Sequence, residues 1–293
     1  MPNLQDLRRR VRSVRNMQKI TRSYKMVSAA KLRRAQDRVI AARPYANTMM
    51  RVLGRLASGA GDYNHPLLEV RGDEHYLVAL VTADRGLCGA FNSNLIKAAQ
   101  QFMRENSDKQ VDLVTVGRKG RDFFRRRGAS ILNEYVNITA KTVDHADAIR
   151  IARELMDLYT AEDSNIDRVY IIYSEFKSVM SQRLTVKQLL PVSKESISGE
   201  SAVEDSTIDY IYEQPPSEIL GRLLPRYIET QVYYAMLESV ASEHGARMTA
   251  MEAASKNAGE LIESLTLTMN RARQASITRE IIEVVSGAQS LKG

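Results

Sequence analysis

Hydrophobic residues near the start of the chain recur at alternating spacings of three and four, from Leu4 to Leu56. This spacing is typical of a coiled-coil seam and predicts one long helix over residues 3–58. The phase of the pattern slips twice, and slips of this kind change the local supercoiling. Pro44 lies inside the run, so we expect it to kink the helix or remove a hydrogen bond from it.

Residues 76–193 have a different pattern, in which short runs of apolar residues alternate with helical periodicity. This alternation indicates an α/β domain with a largely parallel sheet. The segment that follows, Lys194–Thr207, is predicted to be a loop, and Ile208–Glu213 a short edge strand. The predicted strands are Tyr76–Ala83, Val111–Gly117, Arg168–Glu175 and Leu184–Val192, and the predicted helices are Asn92–Glu105, Arg118–Arg127 and Asp144–Ala161.

The last segment is predicted to be helical from Pro215 to about Ser290, with Pro225 kinking its first turns. Because neither long helix can bury its apolar stripe on a small α/β domain, we expect the two to pair. The predicted fold is mostly α: a long antiparallel coiled coil of N- and C-terminal helices with a central Rossmann-like α/β domain. The expected domains are residues 1–60, 61–213 and 214–293, and the end of the last helix should project beyond the first.

Charge is distributed unevenly along the chain, whose net charge is +7. Residues 1–60 hold fifteen Lys or Arg and two acidic residues, whereas the remainder is net acidic. Such asymmetry favours an anionic partner: nucleic acid, anionic lipid or an acidic protein surface. Base stacking has little support, since no aromatic residue lies among the arginines of residues 1–23.

Few residues of the chain are candidates for catalysis, metal binding or cofactor binding. Cys88 is the single cysteine, which excludes a disulfide and favours a small buried side chain. The glycines of the turns after the first two predicted strands match neither phosphate-binding motif, so a Rossmann-like domain without a cofactor is favoured over a nucleotide-binding enzyme. No catalytic residue and no metal site is expected. The four histidines are scattered and are expected to be polar surface residues: His65, His75, His145 and His244.

The chain also lacks an apolar run long enough to span a bilayer, and its N-terminus does not resemble a secretory signal. We therefore expect no direct membrane insertion. Any work at a membrane would depend on partner proteins.

Three segments together resemble the gamma subunits of F-type ATP synthases. They are residues 13–32 (SVRNMQKITRSYKMVSAAKL), 84–92 (DRGLCGAFN) and 277–290 (ITREIIEVVSGAQS). Residues 243–251 and 270–275 fit the same family, so the resemblance extends over the whole chain. One departure is Tyr24, where many relatives carry Met. Chloroplast members add a regulatory dithiol, which a chain with one cysteine cannot form.

The resemblance implies a rotor shaft without an active site or cofactor, coupling proton translocation to ATP synthesis or hydrolysis. It implies four partners: the alpha and beta subunits of a hexameric sleeve, the epsilon subunit and the membrane c-ring. The implied location is peripheral, on the cytoplasmic face of a bacterial cell membrane. The residues implied to contact a beta-subunit catch loop are Arg273, Gln274, Thr278, Glu280 and Glu283. Those implied to form a foot that contacts the c-ring and the epsilon subunit are Tyr210, Tyr212 and Glu213. Those implied to form a bearing region are Tyr24, Lys25 and Met26. The alternative function is a basic coiled-coil nucleic-acid-binding protein.

Overall fold

The computed structural model describes residues 4–59, 64–139, 143–193 and 214–290. The chain divides into two compact units, one formed by Met1–Ser28 with Met248–Gly293 and the other by Ala29–Arg247. In chain order the elements are α1 (Leu4–Gly59), β1 (His75–Val81), α2 (Phe91–Glu105), β2 (Gln110–Val116), α3 (Arg118–Arg125), β3 (Ile131–Tyr135), α4 (His145–Thr160), β4 (Arg168–Phe176), β5 (Gln182–Leu190) and α5 (Pro216–Ser290).

The two long helices agree with the seam pattern, and both continue through the proline expected to distort them. Pro44 lies inside α1 and Pro225 inside α5. The predicted loop Lys194–Thr207 and the predicted strand Ile208–Glu213 lie outside the described residues.

Within residues 29–247, five strands form one sheet in the order β3-β2-β1-β4-β5. β1 is parallel to β2 and to β4, and β2 is parallel to β3, whereas β5 is antiparallel to β4. The sheet is therefore largely parallel, as predicted. β3 was not predicted, because it has only five residues and includes the exposed pair Leu132 and Asn133.

Alternate residues of the central strands pack on opposite faces of the sheet. On one face, Val78 and Leu80 of β1 pack with α2 and α3. On the other face, Leu77, Ala79 and Val81 belong to a larger core, which includes α4.

Parts of both long helices complete that larger core: residues 32–56 of α1 and 220–241 of α5. The expectation that neither long helix buries its stripe on the α/β domain is therefore wrong for these parts. The physical reason is that α2 and α3 both cover the first face, so α4 is the one short helix among the described elements that packs on the second. The long helices remove the rest of that apolar face from water.

In the other unit, residues 4–28 of α1 lie antiparallel to residues 248–290 of α5. Gln18 Nε2 donates to the Ser255 carbonyl at 3.3 Å, and Lys25 Nζ lies 2.6 Å from Glu252 Oε1. Residue numbers rise along one helix and fall along the other at these contacts, which fixes the antiparallel direction. The predicted coiled-coil fold is confirmed.

Candidate functional site

The C-terminal part of α5, residues 273–288, is exposed at every position. We call it the exposed C-terminal segment. It carries all five residues predicted to contact a beta-subunit loop: Arg273, Gln274, Thr278, Glu280 and Glu283. Along this part of the helix, Thr278 Oγ1 donates to the Gln274 carbonyl at 3.0 Å and Ser276 Oγ lies 3.2 Å from Glu280 Oε1.

The five residues do not share one helix face. At about 100° per residue, Arg273, Glu280 and Glu283 lie together on one side of the helix. Gln274 and Thr278 lie on the other side, among exposed apolar residues. Those apolar residues are Ile281, Ile282 and Val285, while Ile277 and Val284 are exposed next to Arg273, at the border between the two sides.

This arrangement makes the exposed C-terminal segment amphipathic. Val284 is 71% exposed, although it is a large β-branched residue. A contiguous apolar surface of this kind indicates a covering partner. The segment can therefore offer an apolar surface and a charged surface to the same enclosing protein.

The predicted bearing region also lies largely at the surface. Tyr24 is exposed and Met26 is 66% exposed, while Lys25 pairs with Glu252 of α5. The tyrosine that departs from the family pattern thus presents its ring to the outside of the helix. The foot residues Tyr210, Tyr212 and Glu213 lie outside the described residues.

The turn after β2 leads into α3 and resembles a phosphate-binding turn in its position, but the side chain of Asp84, from the turn after β1, occupies it. The buried carboxylate of Asp84 accepts hydrogen bonds from the Arg118 amide at 3.1 Å, the Asn137 amide at 2.8 Å and Thr139 Oγ1 at 2.9 Å. The Gly120 amide donates to Thr82 Oγ1 at 2.9 Å. A phosphate at the start of α3 would have to displace Asp84, so this arrangement serves packing.

Cys88 is buried in the turn after β1, as predicted. Asn92 Nδ2 lies 3.1 Å from its sulfur, and burial raises the pKa of the thiol. A buried thiol with a raised pKa is a poor nucleophile. Its environment therefore fits a packing role.

A buried polar cluster that the sequence analysis missed joins α5 to the turn after β1. Arg247 Nη2 lies 2.5 Å from Glu243 Oε1 and 3.2 Å from the Gly86 carbonyl, and Arg247 Nη1 lies 3.1 Å from His244 Nδ1. Burial raises the pKa of Glu243, while the Arg247 cation opposes that rise. Burial and the same cation lower the pKa of His244 to about 4. The sequence signal that could have found the pair is the i, i+4 spacing of Glu243 and Arg247.

The histidine expectation is wrong at two positions. His244 is 6% exposed, because α5 packs against the sheet at this point. His75 is largely buried and its Nε2 lies 2.7 Å from Asp112 Oδ2. Each ring has a polar partner at one of its nitrogens.

Across the described ranges, no group of three or more His, Cys, Asp or Glu residues is arranged to hold a metal ion. None of the helices in those ranges is long and apolar enough to cross a bilayer.

Comparison with known proteins gives the family. The ATP synthase family model matches residues 3–291. The chain is 51% identical over 292 residues to the ATP synthase gamma chain of Solibacter usitatus, and the match covers 98% of this chain and 99% of the relative. It is 49% identical to the ATP synthase gamma chain of Geobacter metallireducens, and that match covers 100% of both chains. Among solved structures, one from the Tetrahymena thermophila mitochondrial ATP synthase central stalk and c-ring is 27% identical with a TM-score of 0.62, covering 80% of this chain and 99% of that one. The chain belongs to the ATP synthase gamma chain family.

Proposed function

We propose that this chain is the central rotor shaft of an F-type ATP synthase. It couples proton translocation through the membrane ring to ATP synthesis or hydrolysis in the alpha-beta hexamer. The observation that carries the proposal is the match to gamma chains over the whole length, at 46–51% identity in the relatives compared. The nucleic-acid-binding alternative has no support from these relatives.

The proposed partners are the alpha and beta subunits, the epsilon subunit and the c-ring, in a complex on the cytoplasmic face of a bacterial membrane. The Tetrahymena structure, which contains a central stalk with a c-ring, supports the assembly. Catalysis would lie in the beta subunits. Within the described residues of this chain, the start of α3, where a phosphate could bind after β2, is occupied by the Asp84 carboxylate.

Torque transmission needs a shaft that is rigid and that can turn within its sleeve. Within residues 29–247, α5 is packed on the sheet and the Arg247 guanidinium bonds the turn after β1, which gives this unit rigidity. The exposed C-terminal segment, which has an apolar side and a charged side, is the part proposed to turn within the sleeve. An apolar side can slide within a sleeve without fixed partners, whereas charged groups favour particular angular positions.

Within the exposed C-terminal segment, we propose that Arg273 and Gln274 contact the beta-subunit catch loop, with Thr278, Glu280 and Glu283 beside them. Their exposure supports this role. A hydrogen bond from Arg273 to a beta-subunit carboxylate would contribute about 1.5–3 kcal/mol. That is small beside the whole sleeve contact, so assembly should survive its loss. Tyr210, Tyr212 and Glu213 are proposed to contact the ring and epsilon, and Tyr24, Lys25 and Met26 to form the bearing region.

The test is the double variant Arg273→Leu with Gln274→Leu in inverted membrane vesicles. We expect normal assembly with reduced ATP hydrolysis and reduced proton pumping, each normalised to assembled complex. The matched control is Arg271→Leu, which removes an exposed arginine from the same helix outside the proposed contact set. Pumping at the wild-type level in the double variant would contradict the proposed contact.

The two single variants separate the two sides of the helix. Arg273→Leu removes a charge from the charged side, whereas Gln274→Leu adds an apolar group to the apolar side. If a charge-assisted hydrogen bond carries the coupling, Arg273→Leu alone should reproduce most of the defect.

A salt-dependent gel shift with DNA would address the nucleic-acid alternative.

A further inference from the structure

A cavity of about 230 Å³ lies between α1, α5 and the residue Val143 that precedes α4. It is formed entirely by residues of the 29–247 unit. Ala35, Leu237 and Val240 supply apolar lining and are buried in the core. The coupling function proposed above uses none of this space.

Three cationic side chains surround this apolar lining. Lys31, Arg34 and Arg38 all line the cavity from one face of α1. Arg38 Nη1 donates to the Val143 carbonyl at 3.3 Å, which holds its guanidinium at the cavity. Lys31 and Arg34 are exposed, and the Lys31 ammonium also interacts electrostatically with the buried Glu243 carboxylate. Because like charges at this spacing repel one another, an anion placed between them would be stabilised.

A buried donor completes the lining. His244 lines the cavity and is 6% exposed. Its Nδ1 lies 3.1 Å from Arg247 Nη1, and since a guanidinium can only donate, Nδ1 must accept and Nε2 must carry the proton. Nε2 has no hydrogen-bond partner among the described residues. Its N–H is therefore available to an acceptor in the cavity.

We propose that this cavity binds a small organic anion, with its oxyanion group between the α1 cations and the His244 N–H and its apolar body against Leu237 and Val240. A cavity of roughly 150 Å³ accommodates benzene. The observed volume therefore has room for a ring that carries one phosphate or carboxylate group. The inference goes beyond the proposed rotor function, which assigns no small ligand to this chain.

The experiment uses the full-length chain and phenyl phosphate as the probe. Binding is followed by saturation transfer from the protein to the ring protons of the probe. We expect a saturable signal that Arg34→Glu weakens at least tenfold. The matched control is Arg33→Glu, which makes the same change of charge at the adjacent exposed position that does not line the cavity. Arg33→Glu should leave binding within about twofold, because its side chain projects about 100° around the helix from Arg34 into solvent, which screens the charge.

Competition with inorganic phosphate tests the apolar part of the proposal. We expect inorganic phosphate to displace phenyl phosphate only at much higher concentration, because it cannot use the apolar lining. Equal competition would mean an adventitious ion only and would overturn the proposal. A signal that does not saturate, or equal weakening by Arg33→Glu and Arg34→Glu, would overturn it as well.

Discussion

Replacing Arg247 with Ala would leave a buried carboxylate without its partner. Arg247 and Glu243 are both buried, and their side chains meet at 2.5 Å. The same substitution removes the donors to the Gly86 carbonyl and to His244 Nδ1. Breaking a buried ion pair by removing one partner typically costs 3–5 kcal/mol. We therefore expect Arg247→Ala to lower the free energy of unfolding by about 3–5 kcal/mol near neutral pH.

The loss should depend on pH, and its sign follows from the two neighbours of Arg247. The pKa of Glu243 is raised by burial, so its contribution to stability is greatest at low pH and is lost as pH rises through the raised pKa. Arg247 opposes that rise, and removing it raises the pKa of Glu243 further. The pKa of His244 is lowered to about 4, partly by the same cation, so without Arg247 its protonation at low pH costs less. Both effects make the deficit of Arg247→Ala smaller at about pH 5 than at about pH 8.

The measurement is urea unfolding of the full-length chain, followed by helical circular dichroism at both pH values. Arg33→Ala is the control, because Arg33 is exposed and its loss should change stability by no more than about 0.5 kcal/mol. The double variant Glu243→Leu with Arg247→Met removes both charges and should cost less than Arg247→Ala alone. A loss below about 1 kcal/mol at the higher pH, or an equal loss at both, would refute the reasoning.

Two further predictions concern the turns at the carboxyl edge of the sheet. Cys88→Ala should lower the free energy of unfolding by about 1 kcal/mol and leave ATP turnover in the assembled complex unchanged, and a loss of coupling there would reveal a role for the thiol. Gly117 has a φ of 96°, and a Cβ there would lie 2.1 Å from the Thr82 carbonyl oxygen, so Gly117→Ala should prevent recovery of folded chain. Gly128, with a φ of 67° and nothing within 4 Å, is its control, since Gly128→Ala should cost only the backbone strain of about 1–2 kcal/mol; similar yields from the two variants would contradict this.

The parts of the fold that local patterns determine could be predicted from the sequence. The periodicity of α1 and α5 predicted both helices to within a residue or two, and the apolar runs of β1, β2 and β4 predicted three central strands. The fourth predicted strand agrees with β5 after a shift of two residues at each end. β3 was not predicted, because a short strand at the sheet edge has few buried residues.

Features that depend on contacts distant in sequence could not be predicted from local pattern. Arg247 bonds the carbonyl of Gly86, more than 150 residues earlier, and no periodicity reports that contact. The packing of α1 and α5 against the sheet also joins residues that are far apart in sequence, so local pattern does not predict it either. The two-sided arrangement of the exposed C-terminal segment is different, since the positions of Arg273 and Gln274 on a helix follow from sequence alone once the helix is assumed.

The composition of the exposed C-terminal segment bears on how the shaft meets its sleeve. Ile277, Ile281 and Val284 are β-branched, and such residues have only modest helix propensity. They are also exposed, so packing within this chain does not compensate for that weakness. An isolated helix with these properties is marginal in water. The apolar side that would let the shaft turn is thus also the side through which an enclosing partner would stabilise the helix, so order in this segment should increase on assembly.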